Sequence, residues 1–221
     1  QGKYNVVIGN DAGHDLDTGN SNVLIGDSTG ANLTNNKDNV AIGAFALDAA
    51  NAAEHYNIAI GTNTLTTETS GADGCIAIGH HALLYQNRDS SSNTAIGYLA
   101  LTNLNNGVTY GGVRNTALGH QAGGAGSFGG SASTDGEDNT VLGYAAGYSI
   151  TTAADNSCIG SYAGLSLTSG GANTIIGHFA GYNASTAKQN VIIGDLACGL
   201  GVLANTSSTL GMYNVVVGPQ A

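Results

Sequence analysis

Five rings share one place in a recurring frame: His80, Tyr98, His120, Tyr144 and His178 each directly follow a glycine that closes an apolar run. Repeated around a symmetry axis, such histidines could ring a metal ion, and a row of aromatics can stack on sugar rings. A surface row of polar aromatics requires neither, so these residues are expected as a possible surface contact. The carboxylates are scattered, with Asp38, Asp138 and Asp155 ahead of the apolar runs and Asp27 and Asp195 behind them. No pair aligns between neighbouring units as glycoside cleavage needs, and no Gly-Gly-x-Gly-x-Asp calcium repeat occurs. Asp15, Asp17, Asp135 and Asp138 offer at most weak calcium ligands. The cysteines, Cys75, Cys158 and Cys198, fall in different columns and several coils apart, so they read as small buried hydrophobes without a bridge. With no nucleophile elbow, His-Glu-x-x-His or Walker loop, no catalytic residue, metal site or cofactor is expected, and the chain does not read as an enzyme. Three glycosylation sequons, at Asn32, Asn183 and Asn205, fall in polar stretches of an Asn-rich chain.

What must position these residues is a tandem repeat. Twelve segments share one pattern: they begin at Asn5, Asn22, Asn39, Asn57, Cys75, Asn93, Asn115, Asn139, Asn156, Asn173, Asn190 and Asn214, and each closes on a glycine four residues later. Successive glycines lie 17, 17, 18, 18, 18, 22, 24, 17, 17, 17 and 24 residues apart, a baseline of 17–18 with three insertions near 103–114, 124–137 and 198–212. A fixed period of this length marks a solenoid, here a single β-solenoid repeat domain over 1–221 with about twelve coils.

Each column of the repeat carries its own expectation. The residue before glycine is always aliphatic: Ile8, Ile25, Ile42, Ile60, Ile78, Ile96, Leu118, Leu142, Ile159, Ile176, Ile193 and Val217. Its near-constant volume predicts the structural core column. The second position, mostly Val, Ile or Thr, shares that face in a strand and is expected half-buried. The middle residue is also apolar throughout, with Ala41, Ala59, Ala77, Ala95 and Ala117 consecutive. It is expected to form an inter-chain row, because a second apolar row along a monomer would leave too large a patch. A parallel homotrimer follows as the simplest arrangement. The opening asparagines, Asn5, Asn22, Asn39, Asn57, Asn93, Asn115, Asn139, Asn156, Asn173, Asn190 and Asn214, predict a side-chain ladder and corners with left-handed backbone. A small residue three places after the glycine is expected to begin a second short strand, as at Gly97–Leu101, before a polar outer loop.

Thirty-five Gly, one Pro, no Trp and 9% charged residues set the chain apart from an ordinary globular core. The net charge of −10, without any Lys or Arg cluster, argues against nucleic acid as a partner. No apolar run approaches the ~18 residues of a membrane span, so membrane insertion is not expected. Coils stacked ~4.8 Å apart would give a rod roughly 55 Å long. The repeat has begun by Asn5 and ends without a polar cap, so end-to-end continuation is expected.

The Asn-Thr-Ala-Ile-Gly unit, clearest at Asn93–Gly97, resembles the head repeats of trimeric autotransporter adhesins and the related repeats of phage tail fibres and other viral fibres. That resemblance implies an all-β, left-handed parallel β-roll with three chains side by side. It implies a structural and adhesive fibre segment, extracellular or on a virion surface, that attaches to a host surface or glycan. The longer repeat favours the viral-fibre branch. A carbohydrate-binding or depolymerising tailspike is the alternative, and an ice-binding solenoid a remote one, since its threonines would have to face water in a flat array.

Overall fold

The computed structural model describes residues 2–48, 54–66, 72–86, 92–104, 111–129, 135–199 and 212–221. Twelve three-residue strands follow in order: β1 (Val6–Ile8), β2 (Val23–Ile25), β3 (Val40–Ile42), β4 (Ile58–Ile60), β5 (Ile76–Ile78), β6 (Thr94–Ile96), β7 (Thr116–Leu118), β8 (Thr140–Leu142), β9 (Ser157–Ile159), β10 (Thr174–Ile176), β11 (Val191–Ile193) and β12 (Val215–Val217). They form one parallel sheet whose spatial order is the chain order. Register is kept from strand to strand, so that Val6, Val7 and Ile8 pair with Val23, Leu24 and Ile25. Each connection therefore carries the chain round to the same edge, which makes the molecule a β-solenoid.

Strands this short owe their uniform length to corners at both ends. The residue ahead of each Asn has a left-handed backbone, for example φ 55° at Asp138 and 61° at Asp155. That correction is local: the left-handed residue was expected to be the Asn, whereas the Asn is already extended and uses its side chain in the ladder. The closing glycines sit near φ +130 to +140°, where other residues are strained. They also stack in contact, and a Cβ on Gly143 would come within 2.6 Å of the Gly160 carbonyl oxygen.

The two faces of the sheet are opposite to expectation. The middle residues of β2 to β11, including Ala41, Ala59, Ala77, Ala95 and Ala117, are buried inside the single chain, whereas Val7 and Val216 of the end strands are not. The column before the glycine faces outward: Ile8 is 59% exposed, Leu118 43% and Leu142 42%, and Ile25, Ile60, Ile78, Ile96, Ile159, Ile176 and Ile193 are half-buried. Ile42 and Val217 lie on the same outward column. Period-two alternation fixes which residues share a face but not which face turns inward. The interior decides that.

Its filling is a volume exchange between the middle residue and the fourth residue after the glycine. Where the middle residue is Ala41, Ala59, Ala77 or Ala95, the partner position holds a buried leucine, Leu47, Leu65, Leu83 or Leu101. Where it is Leu24, Val141, Cys158 or Ile175, the partner is Gly30, Gly147, Gly164 or Gly181. A Cβ on Gly147 would lie 2.5 Å from the Val141 side chain, and one on Gly164 would lie 2.8 Å from Cys158 Sγ. Ala117, facing Gly123, has the gap closed by the buried Phe128.

The segment after the glycine makes turns and not the second strand expected at Gly97–Leu101. Leu99 and Leu101 have φ of 56° and 46°, which no strand accommodates. Of the three insertions, positions 105–110, 130–134 and 200–211 lie outside the described residues. Asn205 and its sequon fall there too.

Candidate functional site

The outward sheet face runs along all twelve strands. Its first column runs Val6, Val23, Val40, Ile58 and Ile76, then Thr94, Thr116, Thr140, Ser157 and Thr174, and ends on Val191 and Val215. Beside it stands the Ile column described above. Twelve strands at ~4.8 Å spacing and a face about 10 Å wide give a strip on the order of 500 Å², aliphatic throughout its Ile column and interrupted by Thr and Ser in its first column from β6 to β10.

The Asn ladder stiffens one edge of this face. Asn156 Oδ1 accepts from the backbone N–H and the Nδ2 of Asn173, at 3.0 and 2.8 Å, and Asn156 Nδ2 donates to Gly170 O at 3.0 Å. Equivalent contacts link Asn5, Asn22, Asn39 and Asn57, and continue from Asn93 through Asn115, Asn139, Asn173 and Asn190 to Asn214. Cys75 interrupts the series. Its N–H donates to Asn57 Oδ1 at 2.9 Å, but its thiol offers the next coil no amide, and Asn93 Nδ2 turns instead to Gln86 Oε1 at 2.9 Å.

On the far edge, four of the five predicted contact rings stack. Centroid separations are 5.5 Å for His80–Tyr98, 5.0 Å for Tyr98–His120 and 5.2 Å for His120–Tyr144, with interplanar angles of 9, 22 and 17°. Beyond Tyr144 the ladder changes column to Tyr162 and Phe179, which stack at 4.7 Å. His178 leaves the stack, placing Nδ1 2.9 Å from Asp195 Oδ1. The rings cover one another's faces, so sugar stacking on the inner rings is blocked and only their edges meet solvent. A tyrosine also separates His80 from His120. Among the described residues no three His, Cys, Asp or Glu side chains gather as a metal site.

Among the described residues charged contacts are few. Arg114 joins Glu137 and donates through Nε to Asp138 Oδ1 at 2.8 Å, and hydrogen bonding to Arg114 holds the Asp138 carboxyl below its usual range. Glu54 is wholly buried with neither carboxylate oxygen hydrogen-bonded, and burial, then the nearby Asp73, pushes its pKa up to about 8. Cys75 and Cys158 are buried thiols in no disulfide, and burial raises Cys158 to about 12. A polar cleft of about 310 Å³ opens beside the second insertion, between Asp135, Asp155, Ser169, Lys188 and Gln189. Neither Glu54 nor the Arg114 cluster was anticipated from sequence. A lone acid among Asn, Ser, Ala and Gly at its repeat position was the available signal for Glu54.

Compared with known proteins, the chain matches no family model, no curated protein and no solved structure.

Proposed function

We propose that the chain is a structural fibre segment: a rigid rod that associates side by side with two further copies through its outward sheet face and presents its loops for attachment to a surface. The observation that carries this reading is the outward Ile column lying beside the Val and Thr column along all twelve strands. Burying an apolar strip of that length against its equivalents is the direct way to remove it from water. Threefold packing, the extracellular or virion location and the adhesive role rest on the resemblance of Asn93–Gly97 to fibre repeats. Analytical ultracentrifugation of Ile60→Lys/Ile78→Lys beside the unaltered chain tests it. A multi-chain particle that the double substitution converts to a folded single chain supports the proposal, and an unaltered chain that sediments alone contradicts it.

Two other readings each have an observation in their favour. The polar cleft at Asp135–Lys188 suits a saccharide better than the closed aromatic ladder does. Glycan-array binding or turnover that disappears on Asp155→Ala would favour it over a purely structural rod. Thr94, Thr116, Thr140 and Thr174 lie on the outward column rather than half-inside the core, which removes the objection to ice binding. Their Val and Ile neighbours make the array irregular, and a lack of thermal hysteresis would dismiss that reading.

A further inference from the structure

All three lysines of the sequence, Lys3, Lys37 and Lys188, occupy one column, two residues ahead of the strand Asn. That column borders the outward face on its upstream edge, and all three are exposed. Among the described residues none of them pairs with a carboxylate. The downstream edge carries Asp11, Asp27 and Asp195, also exposed. Lys3 and Asp11 flank β1, and Lys188 and Asp195 flank β11; Lys37 precedes β3, one coil from Asp27, which follows β2. Within one chain these partners stay apart, because Asn190 to Gly194 alone spans roughly 13 Å at ~3.3 Å per residue.

Around a rotation axis the geometry changes. The upstream edge of one rod lies against the downstream edge of the next, and a pure rotation preserves height along the axis. Lys3 of one copy then lies level with Asp11 of its neighbour at β1, and Lys188 level with Asp195 at β11, whereas Lys37 stands one coil from Asp27. The apolar columns repeat at every coil and by themselves permit rods to slide by one ~4.8 Å step, which would produce staggered open assemblies instead of a closed ring. We infer that Lys3 and Lys188 pair with Asp11 and Asp195 of a neighbouring copy and so set the axial register of the side-by-side assembly, an inference that rests on the proposed packing of the outward faces. Asp195 keeps its contact with His178 while its carboxylate has acceptor sites to spare. Lys37, beside Asp38 and one coil away from Asp27, takes no part in setting the register.

Zero-length carbodiimide coupling of mixed ¹⁴N- and ¹⁵N-labelled chains, read by mass spectrometry, tests the pairing. The expected result is a Lys188–Asp195 peptide carrying both labels, together with roughly tenfold weaker assembly at low salt for Lys3→Gln/Lys188→Gln. A multi-chain particle without the mixed link, whose assembly ignores the double substitution, overturns the register inference and leaves face packing standing. A particle of one chain overturns both.

Discussion

Asn139 takes part through its side chain in four hydrogen bonds, accepting from Asn156 N–H and Nδ2 and donating to Asn115 Oδ1 and Ala153 O. Replacing it with Ala strands buried groups on both neighbouring coils, and Asn139→Ala should lose about 3 kcal/mol in urea unfolding. Glu54 gives a pH signature of the opposite kind. Its pKa rises from 4.5 unfolded to about 8 folded, so the folded chain holds a proton that the unfolded chain releases. Stability is therefore greatest at and below pH ~4.5 as far as this group is concerned, and falls by on the order of 1 kcal/mol per pH unit until about 8. Asp48, raised to about 6 by burial, adds a contribution of the same sign over a narrower window. Glu54→Gln should flatten the dependence above pH 6, measured as Tm against pH; an unchanged slope would mean that Glu54 is ionised in the fold. The repeat made the Asn ladder legible because eleven stacked amides have few other partners. Glu54 was not legible, since burial of a single acid depends on how the coil closes around it.

At the scale of one coil, the interior works by exchange: Ala with Leu, or a larger middle residue with Gly. Ala59→Leu should overfill the coil and cost about 2–3 kcal/mol, and Leu65→Gly should leave a cavity of similar cost. Combined, they recreate the Leu24–Gly30 arrangement, and Leu65 already has φ 51°, which Gly adopts freely. The double variant should therefore be more stable than the sum of its parts by at least ~1 kcal/mol in a double-mutant cycle. Additive losses would show that the two positions do not share a space. This exchange was written in the sequence, yet constancy of volume in the Ile column suggested the wrong interior. Constancy there belongs to an outward face, whereas the true interior tolerates variation because a second column compensates. The absent second strand has a similar cause: Ala and Leu after the glycine read as extended, but alternating left-handed residues coil them into turns.

For the whole molecule, strand order, parallel pairing and the coil period followed directly from the spacing of twelve glycines. Association was inferred from two apolar columns, and the structure exchanges which of them meets solvent without removing the surplus. The outward face keeps an aliphatic column over its full length, asparagines and stacked rings border it along its edges, and exposed lysines lie on the edge across from Asp11, Asp27 and Asp195. These features have one economical explanation in a second and third copy of the same rod. Light scattering of the unaltered chain in solution tests that account most directly. It predicts a particle of three times the 21.9 kDa chain mass. A stable particle of a single chain mass would contradict it.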